Sequence, residues 1–148
     1  RFWGKYANKS YLEGNLGTAT NISLAFRTGR AAISAGNITD ALAQKAIIVA
    51  EVKHMVAGMA IHYLNDAKGK IGTSSQDAIN HSMSEALAFI FGIQFVTDSP
   101  DMSTADIMLL VNQIEANVAG FTNNVQLINA AVDQIATATG LTAYKDIL

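Results

Sequence analysis

Between Thr39 and Lys68 the chain has no proline and no period-two alternation, and its apolar residues fall on almost every side of a helix. Leu42, Ile48, Val49, Val52, Met55, Val56, Met59, Tyr63 and Leu64 together cover most of the circumference. A helix of that kind must be surrounded by other elements, since a surface helix needs only one apolar stripe. The remaining segments offer helices as that surround. None alternates with period two for long enough to suggest a sheet, and each break between periodic stretches is short. The pattern predicts an all-α, up-and-down bundle of about five helices forming a single domain over residues 1–148, with short connections that favour antiparallel neighbours.

The predicted first helix runs from about Thr20 to Ala35 and stops at Gly36-Asn37. Thr39 is the expected N-cap of the second, with Asp40 in its first turn. That helix continues to about Lys68, where the Gly69–Gly72 stretch ends it. Ser74 or Ser75 caps a third helix reaching about Phe95. Asp98-Ser99-Pro100 marks a break, and Ser103 with Asp106 reads as a capping-box start to a fourth. The fourth reaches about Val118, Gly120 interrupts, and the fifth spans about Thr122–Thr139 before Gly140. Residues 1–18, rich in Gly, Asn and aromatics, read as a loop or docking segment.

Composition narrows the function classes. Half of the 148 residues are apolar and 15% are charged, far from the profile of a disordered chain. The net charge is −2 and no basic groove is interleaved with aromatics, which argues against nucleic acid as a partner. There is no cysteine, so disulfides and thiolate chemistry are excluded. The stretch Ala46–Ile61 is interrupted by Glu51, Lys53 and His54, so no apolar run reaches the ~18 residues of a membrane span. The chain starts at Arg1 in an aromatic segment, and the expectation is a piece of a longer protein.

One constellation could carry chemistry. Glu51, His54, Gly58 and His62 follow one another at spacings of three, four and four, on one stripe of the second helix. Glu51-Val-Lys-His54 is an E-x-x-H, the arrangement that supplies ligands in carboxylate-bridged metal bundles. The third helix adds Asp77, His81 and Glu85. In an antiparallel hairpin turning near Ile71, positions summing to about 142 lie level, which sets His62 opposite His81 and Gly58 opposite Glu85. His54, His62, His81, Glu85 and Glu51 are therefore the candidate metal ligands, and such donors suit zinc or iron. The alternative is a hydrogen-bonded polar network that satisfies itself inside the bundle. A di-iron site of the bundle type needs two E-x-x-H motifs, and only one is present. Ser82 and Ser84 lack the strand–turn context of a nucleophile elbow.

Phe2-Trp3-Gly4-Lys5-Tyr6, the segment Leu24–Ile33 and the run His81–Phe91 resemble the imelysin-like domains of unknown function (DUF4856) of Bacteroidetes envelope lipoproteins. The resemblance covers most of residues 1–97. It implies an exported protein of the cell envelope with a two-bundle helical fold, of which this chain is the C-terminal half. Any membrane attachment would then come from a lipid anchor outside the chain. The partner would be the missing N-terminal half or a second copy. Imelysin relatives carry a G-x-H-x-x-E motif, and this chain departs from it: His81 and Glu85 stand four apart and are its possible equivalents.

Three readings follow. The first is a non-enzymatic envelope protein of binding or uptake, related to a metal or iron. The second is a metal-dependent, peptidase-like hydrolase using His54, His81 and a carboxylate. The third is a purely structural helical domain.

Overall fold

The computed structural model describes residues 2–96 and 102–148, without the side chain of Phe2. The break expected at Asp98-Ser99-Pro100 lies outside the described residues. The fold is an all-α helical bundle, with no strand among the described residues. Its helices are α1 Phe2–Ala7, α2 Ser10–Leu16, α3 Thr18–Ser34, α4 Ile38–Lys70, α5 Gln76–Ile93, α6 Thr104–Ala116, α7 Val118–Thr122 and α8 Val125–Thr139. The five expected helices are α3, α4, α5, α6 and α8.

Residues 2–16 depart from the expected loop. Glycine and asparagine weaken helical propensity there, yet burial of Tyr6, Ala7 and Leu12 holds two short helices in place. Gly17 ends α2 in the left-handed region (φ 67°), where its N–H reaches the Glu13 carbonyl. It then stands at the start of α3 with no side chain to cap it. The Glu13 carboxylate takes over that task, accepting from the Ala19 N–H at 2.6 Å, the Thr20 N–H at 3.2 Å and the Thr20 hydroxyl. At the start of α4 the capping residue is Asn37 rather than Thr39. Its Oδ1 accepts from the Asp40 N–H (3.1 Å), and its amide donates to the Asp40 carboxylate (2.6 Å). Ser75 caps α5, Ser103 and Asp106 form the expected capping box on α6, and Gly140 closes α8 at φ 77°.

Two compact units divide the chain, residues 1–55 and 56–148, with the boundary inside α4. In the first unit the buried face of α3 is Thr18, Ala25, Gly29 and Ala32, a seam of small side chains. Such a seam lets a neighbouring helix approach closely: a Cβ on Gly29 would stand 3.3 Å from Gln44 Cβ on α4. Close approach leaves no room between the helices for bulky groups. Leu24, Phe26 and Ile33 on α3, and Ile38, Leu42 and Val49 on α4, accordingly stay outside, each more than half exposed.

The second unit has a fuller core. Residues Val56–Ile61, Leu64 and Ala67 of α4 are buried. Ile107, Leu110, Val111 and Ile114 of α6 face inward at the spacing of one helical stripe, and α8 buries Ile128, Ala131, Val132, Ile135 and Ala136. The Asn65 amide donates to the backbone carbonyl of Lys145 at 2.7 Å, which ties the C-terminal turn to α4. By length and composition alone α4 could cross a membrane, despite the charges that break its apolar run. Its stretch from Val56 to Ile61 serves as core within the second unit.

Candidate functional site

The α4–α5 register can be read from two contacts. A Cβ on Gly92 would stand 3.5 Å from Val56 Cγ1, and the Ser82 hydroxyl donates to Asp66 Oδ2 at 2.6 Å. Both pairs set positions summing to 148 level with each other, in place of about 142. The shift follows from α4 continuing to Lys70 before a turn over residues 71–75. His62 then lies level with Ala86, and His81 with Ala67, so the two histidines are offset along the hairpin by roughly 7 Å. His81 is exposed, whereas His62 and Glu85 are half-buried. The His62 ring meets Tyr63 edge-on, centroids 5.3 Å apart. Its charge also helps to lower the Asp66 pKa.

In the first unit Glu51 and His54 do pair, at 4.0 Å between Oε2 and Nδ1. Burial is the largest influence on His54 and holds its pKa below the ordinary 6.5; Glu51 works against that shift and Lys53 with it. Glu51 Oε1 accepts from the Asn21 amide at 2.9 Å, so this carboxylate joins α4 to α3. Its Oε2 is buried without a hydrogen-bond partner. Among the described residues no group of three or more His, Asp or Glu side chains could hold a metal ion. The pair Glu51 and His54 supplies two donors, short of the three or four protein ligands usual for zinc.

A polar cluster that spacing alone did not single out sits between α4 and α5. Lys70 Nζ lies 2.6 Å from Asp66 Oδ2 and 2.7 Å from Ser82 Oγ, while Ser82, fully buried, donates to Asp66. A serine beside a lysine invites comparison with a nucleophile and its base. Here Lys70 and Ser82 both donate to the Asp66 carboxylate, so the serine proton is directed at Asp66 and away from the lysine. Burial raises the Asp66 pKa, but the bonds from Lys70 and Ser82 outweigh it and the net shift is downward. The cluster is a clamp that fixes helix register. Its sequence signal was an Asp–Lys pair four apart near the end of α4.

A concave feature with ligand dimensions lies in the first unit. Phe26 and Ile33 of α3 and Ile48 and Val49 of α4 wall a groove of about 420 Å³, floored in part by Ala25 and Gly29. That volume falls within the range of small-molecule sites, roughly 300–1,000 Å³. Arg30 from α3 and Lys45 from α4 also line it, and neither has an acidic partner among the described residues. Composition reinforces the sign of this surface. Residues 1–55 hold seven Lys and Arg against three Asp and Glu, a net of +4, while 56–148 hold three against nine, a net of −6. The basic bias of the first thirty residues was visible in the sequence. The groove was not, because its signal is the spacing of small residues at Ala25, Gly29 and Ala32, which says where helices touch and only indirectly what is left outside.

No curated protein and no solved structure matches the chain. The model of the family described as a domain of unknown function, DUF4856, matches residues 1–142, and the chain belongs to that family.

Proposed function

We propose that this chain is a binding domain of the cell envelope, acting in capture or uptake, with the α3–α4 groove as its binding surface. The observation that carries the reading is the groove itself: apolar walls from two helices, with Arg30 and Lys45 among the lining residues. Ligand sites have that make-up, largely apolar with a few placed polar groups. The envelope setting and the imelysin-like relationship rest on the resemblance of residues 2–6, 24–33 and 81–91. The test uses the neutral dye N-phenyl-1-naphthylamine. Wild-type protein is expected to bind it with a fluorescence rise, and Phe26→Gln or Ile33→Gln to weaken binding at least fivefold. Both positions are exposed, so helicity by circular dichroism should be unchanged. Equal binding by wild type and both variants, or none at all, would overturn the proposal.

A second, metal-related reading has one observation in its favour, the unpartnered buried Glu51 Oε2 beside His54. The site would be a half-site, its remaining ligands supplied by an incoming metal complex. Titration with zinc and ferrous iron, read by the His54 imidazole NMR signals in wild type and Glu51→Gln, decides it. Signals that do not move would exclude it.

A further inference from the structure

We infer that the first unit pairs with a second copy of itself, α4 against α4, in antiparallel twofold packing. The pairing does not depend on any ligand, and it would cover the groove, so ligand binding becomes a property of separated chains. Ile38, Leu42, Val49, Val52, Val56 and Met59 follow one heptad pattern along α4, spaced alternately by four and three residues when Lys45 is counted. From Val56 onward this seam is buried, and Gly92 of α5 lies over Val56. Towards the start of α4 the same seam continues uncovered: Ile38, Leu42 and Val49 are each more than half exposed. On α3, Phe26 and Ile33 stand seven apart, are also more than half exposed, and wall the groove together with Val49. The hairpin thus presents a heptad repeat on both helices, and such a face seats against helices with the same repeat. The chain itself carries that complement, and a twofold axis lets one patch serve both copies.

The area is sufficient. At roughly 150–200 Å² for an open residue of this size, the five exposed side chains leave on the order of 500 Å² uncovered on each copy. Two copies remove about twice that, and Ile48 with the stems of Arg30 and Lys45 brings the total towards the ~1,600 Å² of a stable interface. Lys45 decides the direction of pairing. In a parallel pair it would meet Lys45 of the second copy in one layer. An antiparallel pair sets Leu42 beside Val52 of the second copy and Lys45 beside its Val49, with the lysine stem free to turn outward. A lone polar position in a heptad seam fixes register at a cost in stability, so the pair should separate on dilution.

Sedimentation of the full chain over a hundredfold range of concentration is expected to show a dimer that dissociates on dilution. Leu42 is exposed and lies outside the groove lining, so Leu42→Glu should be monomeric throughout, with unchanged helicity. Leu109→Glu, at a similarly exposed position on α6, should leave the dimer intact. The chain has no cysteine, so disulfide formation tests the register. Oxidation should link two copies of the double variant L42C/V52C, and link L42C alone far less. Dye titration keeps pairing apart from groove binding: fluorescence per chain should rise as wild type is diluted, and stay constant in Leu42→Glu. A wild type that is monomeric at every concentration would overturn the pairing and leave the groove standing. So would a dimer that Leu42→Glu leaves intact, or one that Leu109→Glu also dissociates. L42C linking as readily as the double variant would refute the antiparallel order. A dimer with no dye binding at any concentration would remove the groove and leave the pairing. Wild type that is monomeric alone but floats with phosphatidylcholine vesicles would give the face to a membrane and refute the inference.

Discussion

Single carboxylates do a large share of the joining in this chain. Glu13 closes the start of α3 and Asp66 clamps α4 to α5. For Glu13 the bond from the Thr20 hydroxyl is the chief cause of a lowered pKa. A carboxylate whose folded pKa lies below its unfolded value stabilises the fold above the unfolded value, and that contribution fades as pH falls through the folded one. Melting temperature should therefore drop as pH is lowered below the ordinary values of 4.5 for Glu13 and 3.8 for Asp66. Glu13→Gln and Asp66→Asn should each flatten the decline; a slope unchanged in both would refute these roles. Loss of the Glu13 cap should cost about 1 kcal/mol, the ordinary worth of an N-cap. His54 acts higher on the pH scale. Its folded pKa is lowered by burial, so the unfolded chain takes up the proton first, and stability should begin to fall as pH drops through 6.5. His54→Gln should remove that early part of the decline, seen in urea midpoints at pH 7 and pH 5.5.

At the scale of elements, the seam on α3 decides the character of the first unit. Gly29 lies mid-helix, where alanine would be favoured by about 1 kcal/mol of propensity. The contact at 3.3 Å to Gln44 Cβ opposes that gain. Gly29→Ala should thus change stability little, whereas Gly29→Leu should splay the hairpin and cost about 1–3 kcal/mol, the usual range for overpacking. Thermal unfolding of both variants distinguishes a seam from an open surface, since on an open surface leucine would be tolerated as well as alanine. The α4–α5 hairpin shows a different kind of constraint. Its register was set by where the turn falls, and extending α4 by one half-turn moved every facing pair. Histidines that a 142 register would have aligned are displaced along the axis.

Over the whole molecule, burial and charge are unevenly divided. Large buried side chains such as Ile61, Leu64, Ile90, Ile107, Ile114 and Ile128 belong to the second unit, while the first relies on Tyr6, Leu12, Met55 and a few alanines. Regions with fewer buried apolar contacts open at lower free energy. Amide hydrogen exchange should therefore be faster in α3 and residues 38–50 than in residues 56–67 and α8. Protection in α3 equal to that in α8 would contradict the division. Opposite net charges on the two units, +4 and −6, also predict that added salt should affect them differently. Salt should raise the urea midpoint of the acidic second unit more, because it has the larger self-repulsion to screen.

Helical class, most element boundaries and several caps were legible in the order of residues. They depend on neighbours three or four positions away, as with Ser75, the Ser103–Asp106 box and Gly140. Residues 2–16 were not legible as helices, because burial of Tyr6 and Leu12 is what stabilises them and burial is a property of the folded chain. The candidate metal residues could be placed on stripes but not in space. Stripe membership follows from a period of 3.6, whereas mutual distance depends on turn length and on which helix packs beside which. The groove was settled last of all. Arg30 and Lys45 lie fifteen positions apart, and only the close packing of α3 on α4 at Gly29 brings them to one groove, walled in part by Phe26 and Ile33.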